Sequence, residues 1–240
     1  MAIVRQALVY NGPGGPFEGV IAYEDEITTM RPGVLVVPNV RGQKEADTLK
    51  AEALARLGYV GFACDVFGQG KRTTQESPDM AVYMNELNAD RGLLRDRLQA
   101  SLDALKGFDR VDPAKTATIG FCFGGKCVLD MARAGLDILG CVSFHGVYDR
   151  PDYASVVPIK PKLLVCHGWD DPLGPPDAMV GLCRELTEGG ADWQIHAYGN
   201  AGHAFTDHAA TGSTRPGVAY EERADRRSWE AMKDFLAELF

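Results

Sequence analysis

The chain has 240 residues, 45% hydrophobic and 24% charged, with 27 glycines and 13 prolines; these proportions argue against a disordered, collagen-like or coiled-coil protein. Its 25 Lys and Arg against 33 Asp and Glu leave a net charge of −8 with no basic block, which argues against nucleic acid or an anionic membrane as partner. No window reaches the roughly 18 consecutive apolar residues of a membrane span, and the first ten residues lack a signal peptide's apolar stretch and cleavage site.

In chain order, strands are expected at 3–10 and 19–24, joined by the Gly/Pro-rich NGPGGPFEG as an antiparallel edge pair. A strand at 33–39 leads to a helix over 43–57, where Ala46, Leu49, Ala53, Leu54 and Leu57 share one face and Gly58 stops the run. Then come a strand at 59–65, a helix over 79–106, a strand at 116–121 and a helix over 124–134. Strands at 138–144 and 162–168, a helix over 175–189, a strand at 192–198 and a helix over 218–239 complete the chain. From residue 33 onward the strands are continuous apolar runs, the pattern of a parallel sheet covered on both faces. Asn11–Pro16 and Thr211–Gly217 read as loops, and no repeat or linker interrupts the order. The expected fold is α/β: a single doubly wound domain over 1–240, its sheet mostly parallel with helices on both faces. In such sheets the reactive groups lie at the carboxyl ends of the strands.

Six cysteines, at 64, 122, 127, 141, 166 and 183, mostly stand in apolar runs such as ACDVF, GCVSF and LLVCHG. Such positions suit buried free thiols in a reducing compartment, so a cytoplasmic location is expected. There is no CxxC pair, and the Cys122/Cys127 spacing fits no common zinc pattern; no metal or cofactor is expected.

One segment points to covalent chemistry. The strand TATIG runs into Gly120-Phe121-Cys122-Phe123-Gly124-Gly125 and then into a helix, the G-x-nucleophile-x-G turn with Cys in place of Ser. Residues two before and two after the nucleophile must be nearly without side chains for strand and helix to approach. The helix N-terminus favours thiolate over thiol.

A thiol nucleophile needs a base, and the base an orienting carboxylate. Two strand-end loops supply them: Trp169-Asp170-Asp171-Pro172 and Gly199-Asn200-Ala201-Gly202-His203-Ala204-Phe205. Among five histidines, His196 lies within a strand and His208 five residues past His203. His167 is expected to pack against or bond the acid loop, and His145 to line the pocket. His203, in a Gly-flanked loop after the last strand, is the preferred base. Of the adjacent aspartates only one can point inward; Asp171 is taken as the acid and Asp170 as a solvated or loop-capping carboxylate, a choice that periodicity alone does not settle.

On GFCFGG (120–125), HGWDD (167–171), GHAF (202–205) and the weaker VVPNVRG (36–42) and ACDVFGQG (63–70), the chain resembles the dienelactone hydrolase family of α/β-hydrolases from about residue 15 onward. The resemblance implies a hydrolase of carboxylic esters or lactones, with Cys122 as nucleophile, Asp171 as orienting acid and His203 as base, acting through an acyl-thioester. It implies an oxyanion hole built from the backbone N–H groups of Phe123 and Val40, and a substrate pocket touching Asn39, His145 and Phe205. Founding members carry a glutamate after the third strand that restrains the cysteine; the matching position here is Asn39. They also hold a substrate carboxylate with an arginine four residues beyond the histidine, where this chain has Asp207. The expected partner is therefore a small ester or lactone other than a dienelactone.

Other residues have plainer expected roles. Arg41, Lys71 and Arg72 are read as solvated surface, Asp65 as a turn-stabilising carboxylate, and the arginines of 79–106 as a solvated helix face. Trp169, Phe121, Phe123 and Tyr148 suit either an apolar pocket or the core. Two alternatives compete: a ligand-binding protein on a hydrolase scaffold, whose mark would be a lost triad member, and a thiol redox sensor with Cys127 resolving Cys122.

Overall fold

The computed structural model describes residues 2–240. The fold is α/β, with six helices and an eight-stranded, mostly parallel sheet of order β1-β2-β4-β3-β5-β6-β7-β8. The chain divides into two compact units, Met1–Ile119 and Gly120–Phe240.

In the first unit β1 (Ile3–Tyr10) and β2 (Phe17–Glu24) pair antiparallel from Ile3↔Glu24 to Tyr10↔Phe17, the edge hairpin that the Gly/Pro-rich loop calls for. β2 also runs antiparallel to β4 (Val60–Ala63), which pairs parallel with β3 (Arg31–Val37). Between β3 and β4 lies α1 (Glu45–Arg56), stopped at Gly58, whose φ of +91 suits glycine. Phe17, Ile21, Val34–Val37 and Phe62 are buried to completion. Asp65, just past β4, accepts from the N–H groups of Phe67 (2.9 Å) and Gly68 (3.1 Å) and pairs with Arg72 (3.2 Å), the turn-stabilising role expected of it. Arg72 also donates to the carbonyls of Glu18 and Lys71, so it braces the loop rather than lying solvated.

The helix expected over 79–106 is two helices, α2 (Val82–Ala89) and α3 (Arg91–Lys106). Asp90 breaks the run: its backbone leaves the helical region at φ −136 and ψ 84, and its carboxylate accepts from Leu93 N–H at 2.8 Å. A short acceptor that competes for backbone donors favours such a cap over continued helix. The arginines of α3 are not all on a solvated face either. Arg97 is 7% exposed, donates to the carbonyls of Pro13, Val66 and Phe67, and lies 5.3 Å from the Phe17 ring centroid. β5 (Val111–Phe121) starts five residues ahead of its apolar run: Val111 is buried, but Pro113, Ala114 and Lys115 are exposed and interrupt the apolar pattern.

In the second unit α4 (Phe123–Arg133) is buried along its whole length. β6 (Gly140–Phe144), β7 (Lys162–Gly168) and β8 (Trp193–Tyr198) pair parallel in that order. β6 is buried, as is β7 from Leu163 onward, whereas every residue of β8, at the sheet edge, is half-buried or exposed. α5 (Pro176–Glu188) precedes β8, and α6 (Glu222–Leu239) follows a single 3-10 turn at His208–Ala210. Arg133, 1% exposed at the end of α4, forks onto Glu185 of α5 (2.8 and 2.9 Å) and reaches the carbonyls of Tyr148 and Asp149. A buried cation is tolerable only with such paired, charge-assisted bonds. Among the described residues no helix is long and apolar enough to cross a membrane.

Candidate active site

The turn from β5 into α4 places Cys122 at the helix N-terminus with φ 57 and ψ −113, a region that non-glycine residues rarely occupy. Gly120 makes the turn passable, since a Cβ there would lie 2.1 Å from the Gly124 carbonyl oxygen. Phe123 is the first helical residue, so no helical carbonyl precedes it for its N–H. Cys122 is half-buried.

His203 arrives from the loop after β8. Its N–H donates to Gly217 O (2.7 Å) and its carbonyl accepts from Ala219 N–H (3.1 Å), a short parallel bridge that closes the loop at His203 and Val218. Gly202 permits the closure, because a Cβ there would meet Gly217 O at 2.2 Å. Beyond the bridge, residues 208–216 are almost all exposed.

The loop after β7 turns back sharply, with Asp171 N–H on Gly168 O (3.1 Å). Asp171 is 2% exposed, and its Oδ1 accepts from Leu173 N–H at 2.8 Å. Asp170 is exposed, fixed only through its backbone N–H to Ala201 O (2.9 Å).

These three segments, all in the second unit, bring Cys122, His203 and Asp171 into one line. Sγ of Cys122 lies 3.0 Å from Nε2 of His203, and Nδ1 of His203 lies 2.8 Å from Oδ2 of Asp171. Burial opposes a charge on the imidazole, but its bonds to Asp171 and Cys122 and the attraction of both anions outweigh it, pushing the His203 pKa up to about 10. Such an arrangement can hold a thiolate–imidazolium pair and move a proton at Nε2.

The other candidates fall as follows. His145 is 2% and Phe205 0% exposed, and their rings meet edge-on at 5.1 Å, buried against each other rather than forming an open wall. His145 is bonded at both nitrogens, to Cys122 N–H (3.2 Å) and to Thr206 Oγ1 (2.8 Å). Thr206 was not singled out by sequence reasoning; its one signal was its place three residues past His203. His167 is fully buried and bonds the Tyr148 hydroxyl (2.9 Å), a side chain rather than loop backbone, and burial pushes its imidazole pKa down against the partial opposition of Asp171. Trp169 is 48% exposed, whereas Phe121, Phe123 and Tyr148 are core. Asp207 caps the 3-10 turn through Ala209 N–H (3.0 Å).

In the first unit Asn39 and Val40 follow β3 and are half-buried. Asn39 Oδ1 accepts from Arg41 N–H (3.0 Å) and from Lys44 Nζ (2.9 Å), so its amide oxygen is held by a cation of its own loop.

All six cysteines are free. Burial pushes the thiols of Cys64 and Cys141 well above their ordinary range and that of Cys166 up to about 12. Cys127 is fully buried inside α4, which makes it a poor resolving partner for Cys122. Among the described residues no group of three or more His, Cys, Asp or Glu is arranged to hold a metal ion.

The model of the family described as "Dienelactone hydrolase family" matches residues 17–240. An uncharacterized Caenorhabditis elegans protein is 35% identical over 157 residues, 64% of this chain and 99% of that protein. A Methylorubrum extorquens protein provisionally named a carboxymethylenebutenolidase is 26% identical over 218 residues, 85% of this chain and 71% of that protein. The crystal structure of a dienelactone hydrolase-like promiscuous phosphotriesterase from metagenomic libraries superposes with a TM-score of 0.93 at 34% identity, covering 100% of both chains.

Proposed function

The chain belongs to the dienelactone hydrolase family, and on that premise we propose that it hydrolyses carboxylic esters or lactones through Cys122, His203 and Asp171. The observation that carries the proposal is the unbroken line from Sγ to Nε2 and from Nδ1 to the buried carboxylate, at 3.0 and 2.8 Å.

Cys122 rests as a thiolate paired with the His203 imidazolium. The thiolate attacks the ester carbonyl, and the oxyanion that forms is stabilised by the N–H of Phe123 at the positive end of α4. As the C–O bond breaks, Nε2–H of His203 protonates the departing alkoxide and leaves an acyl-thioester. Water then attacks the thioester while Nε2 takes its proton, and the acid leaves as the thiolate–imidazolium pair returns. Asp171 keeps the other imidazole proton on Nδ1 throughout. The capped Asp207, four residues past His203, disfavours a carboxylated substrate, so neutral esters and lactones are the preferred class. One hydrolase domain and a cytoplasmic location belong to the same proposal; the six free cysteines support the latter. The likeness to the phosphotriesterase supports a second reading, in which the same thiolate accepts a neutral phosphotriester.

The test is a panel of p-nitrophenyl esters, a lactone and a p-nitrophenyl phosphotriester, run with the wild type and Cys122→Ala. Ester turnover that Cys122→Ala abolishes, with an acyl mass on the Cys122 peptide after quenching, supports the proposal. Turnover retained by Cys122→Ala refutes it.

A further inference from the structure

His145 holds a second imidazole against the reacting pair that the proton transfers above do not use. It follows β6, is buried, and has φ +37, left-handed backbone that a side chain of this size rarely adopts. Its ring lies edge-on to His203 with centroids 5.2 Å apart. Nδ1 faces the N–H of Cys122 at 3.2 Å, a donor shared with Phe144 O at 3.0 Å. An N–H can only donate, so Nδ1 is an acceptor and the ring proton sits on Nε2. Nε2 then donates to Thr206 Oγ1 at 2.8 Å.

Two strained residues, Cys122 and His145, thus face each other, joined by a bond that only one tautomer can make. Strain of this kind persists only where the surroundings over-determine it. The bond to Thr206 carries the constraint onward to the segment of the base, three residues past His203. The same tautomer keeps the ring uncharged, so no second cation competes with His203 for the thiolate.

We propose that His145 and Thr206 form a neutral brace that positions Cys122 against His203, making His145 a positioning residue and Thr206 the anchor of its ring. This rests on the reading of Cys122 as nucleophile. The brace predicts that the ion pair loosens when the anchor is removed, whatever the substrate.

Thr206→Val keeps the shape and removes the acceptor, and Thr206→Ser restores it. In Thr206→Val, kcat should fall about tenfold, the worth of one buried hydrogen bond, with KM unchanged. The pH profile of Cys122 alkylation by iodoacetamide should move to higher pH. Thr206→Ser should match the wild type in both. His145→Phe should lose more, and adding Thr206→Val to it should cost nothing further, because the two act as one unit. A folded Thr206→Val with wild-type kcat and alkylation profile overturns the brace, as does a double variant whose losses multiply. The alkylation profile keeps the two readings separate. If the wild type cleaves no ester but Thr206→Val still shifts Cys122 alkylation, the brace stands and the hydrolase proposal falls.

Discussion

Replacing Asp171 by asparagine removes one charge from the site and almost no volume. The His203 pKa stands at about 10, against an ordinary value near 6.5. Burial works against that rise, and the bonds to Asp171 and Cys122 with the attraction of both groups bring it about, so losing the Asp171 charge lowers the His203 pKa and weakens the imidazolium. A second effect adds to the first. Leu173 N–H needs an acceptor, which turns the asparagine oxygen toward it and its NH2 toward His203 Nδ1. Nδ1 must then accept, and the imidazole proton moves to Nε2, where it blocks proton uptake. Together these predict a fall in kcat of between roughly 10² and 10⁴ with little change in KM. Cys122 alkylation should shift to higher pH as its partner weakens. Asp170→Asn, at an exposed position, should stay within about threefold of wild type. The assay is p-nitrophenyl ester turnover together with iodoacetamide inactivation across pH 5–10. An Asp171→Asn enzyme within threefold of wild type, or a larger loss in Asp170→Asn, would refute the reasoning.

Other outcomes follow from the same geometry. Iodoacetamide should label Cys122 first and the half-exposed Cys183 second, sparing Cys64, Cys127, Cys141 and Cys166 until the chain unfolds; mass spectrometry of timed digests reads the order. With Cys122 as thiolate, the proton His203 keeps is the one Cys122 gives up, so stability should be flat from about pH 6.5 to 8.5 and then fall between about 8.5 and 10. Cys122→Ala should instead begin to decline from about pH 6.5, as thermal midpoints against pH would show. Gly120→Ala drives a Cβ to 2.1 Å from Gly124 O and should cost at least ~3 kcal/mol, read from the urea midpoint or from loss of soluble protein. Asp90→Ala should cost about 1 kcal/mol by the same measure, through the lost cap on α3.

Much of the sheet was legible because burial writes itself as apolar runs: β7 begins and ends where its run does. Where a structural role is polar, the run gives no sign. Pro113, Ala114 and Lys115 of β5 are exposed, and Asp90 divides a helix whose apolar period continues through it. Arg97 read as surface charge, yet it is buried against carbonyls that neighbour it only in the fold. The turn at Cys122 could be read because it restricts its own neighbours to glycine, and the two partner loops because they end strands. His145 and Thr206 gave no comparable signal, since a bond between residues 61 apart leaves no local pattern.

The bridge between His203 and Val218 has a consequence for how this chain can vary. His203 sits at the neck of a loop, not at its tip, and the neck is pinned by main-chain bonds that no side chain of the tip supplies. Lengthening or rewriting residues 208–216 therefore leaves the imidazole where it is, and doubling such a loop costs only about 0.6 kcal/mol in closure entropy. The imidazole and the exposed tip are in this way mechanically uncoupled along one stretch of chain. The tip is free ground for selection, or for a library, while the neck tolerates almost nothing.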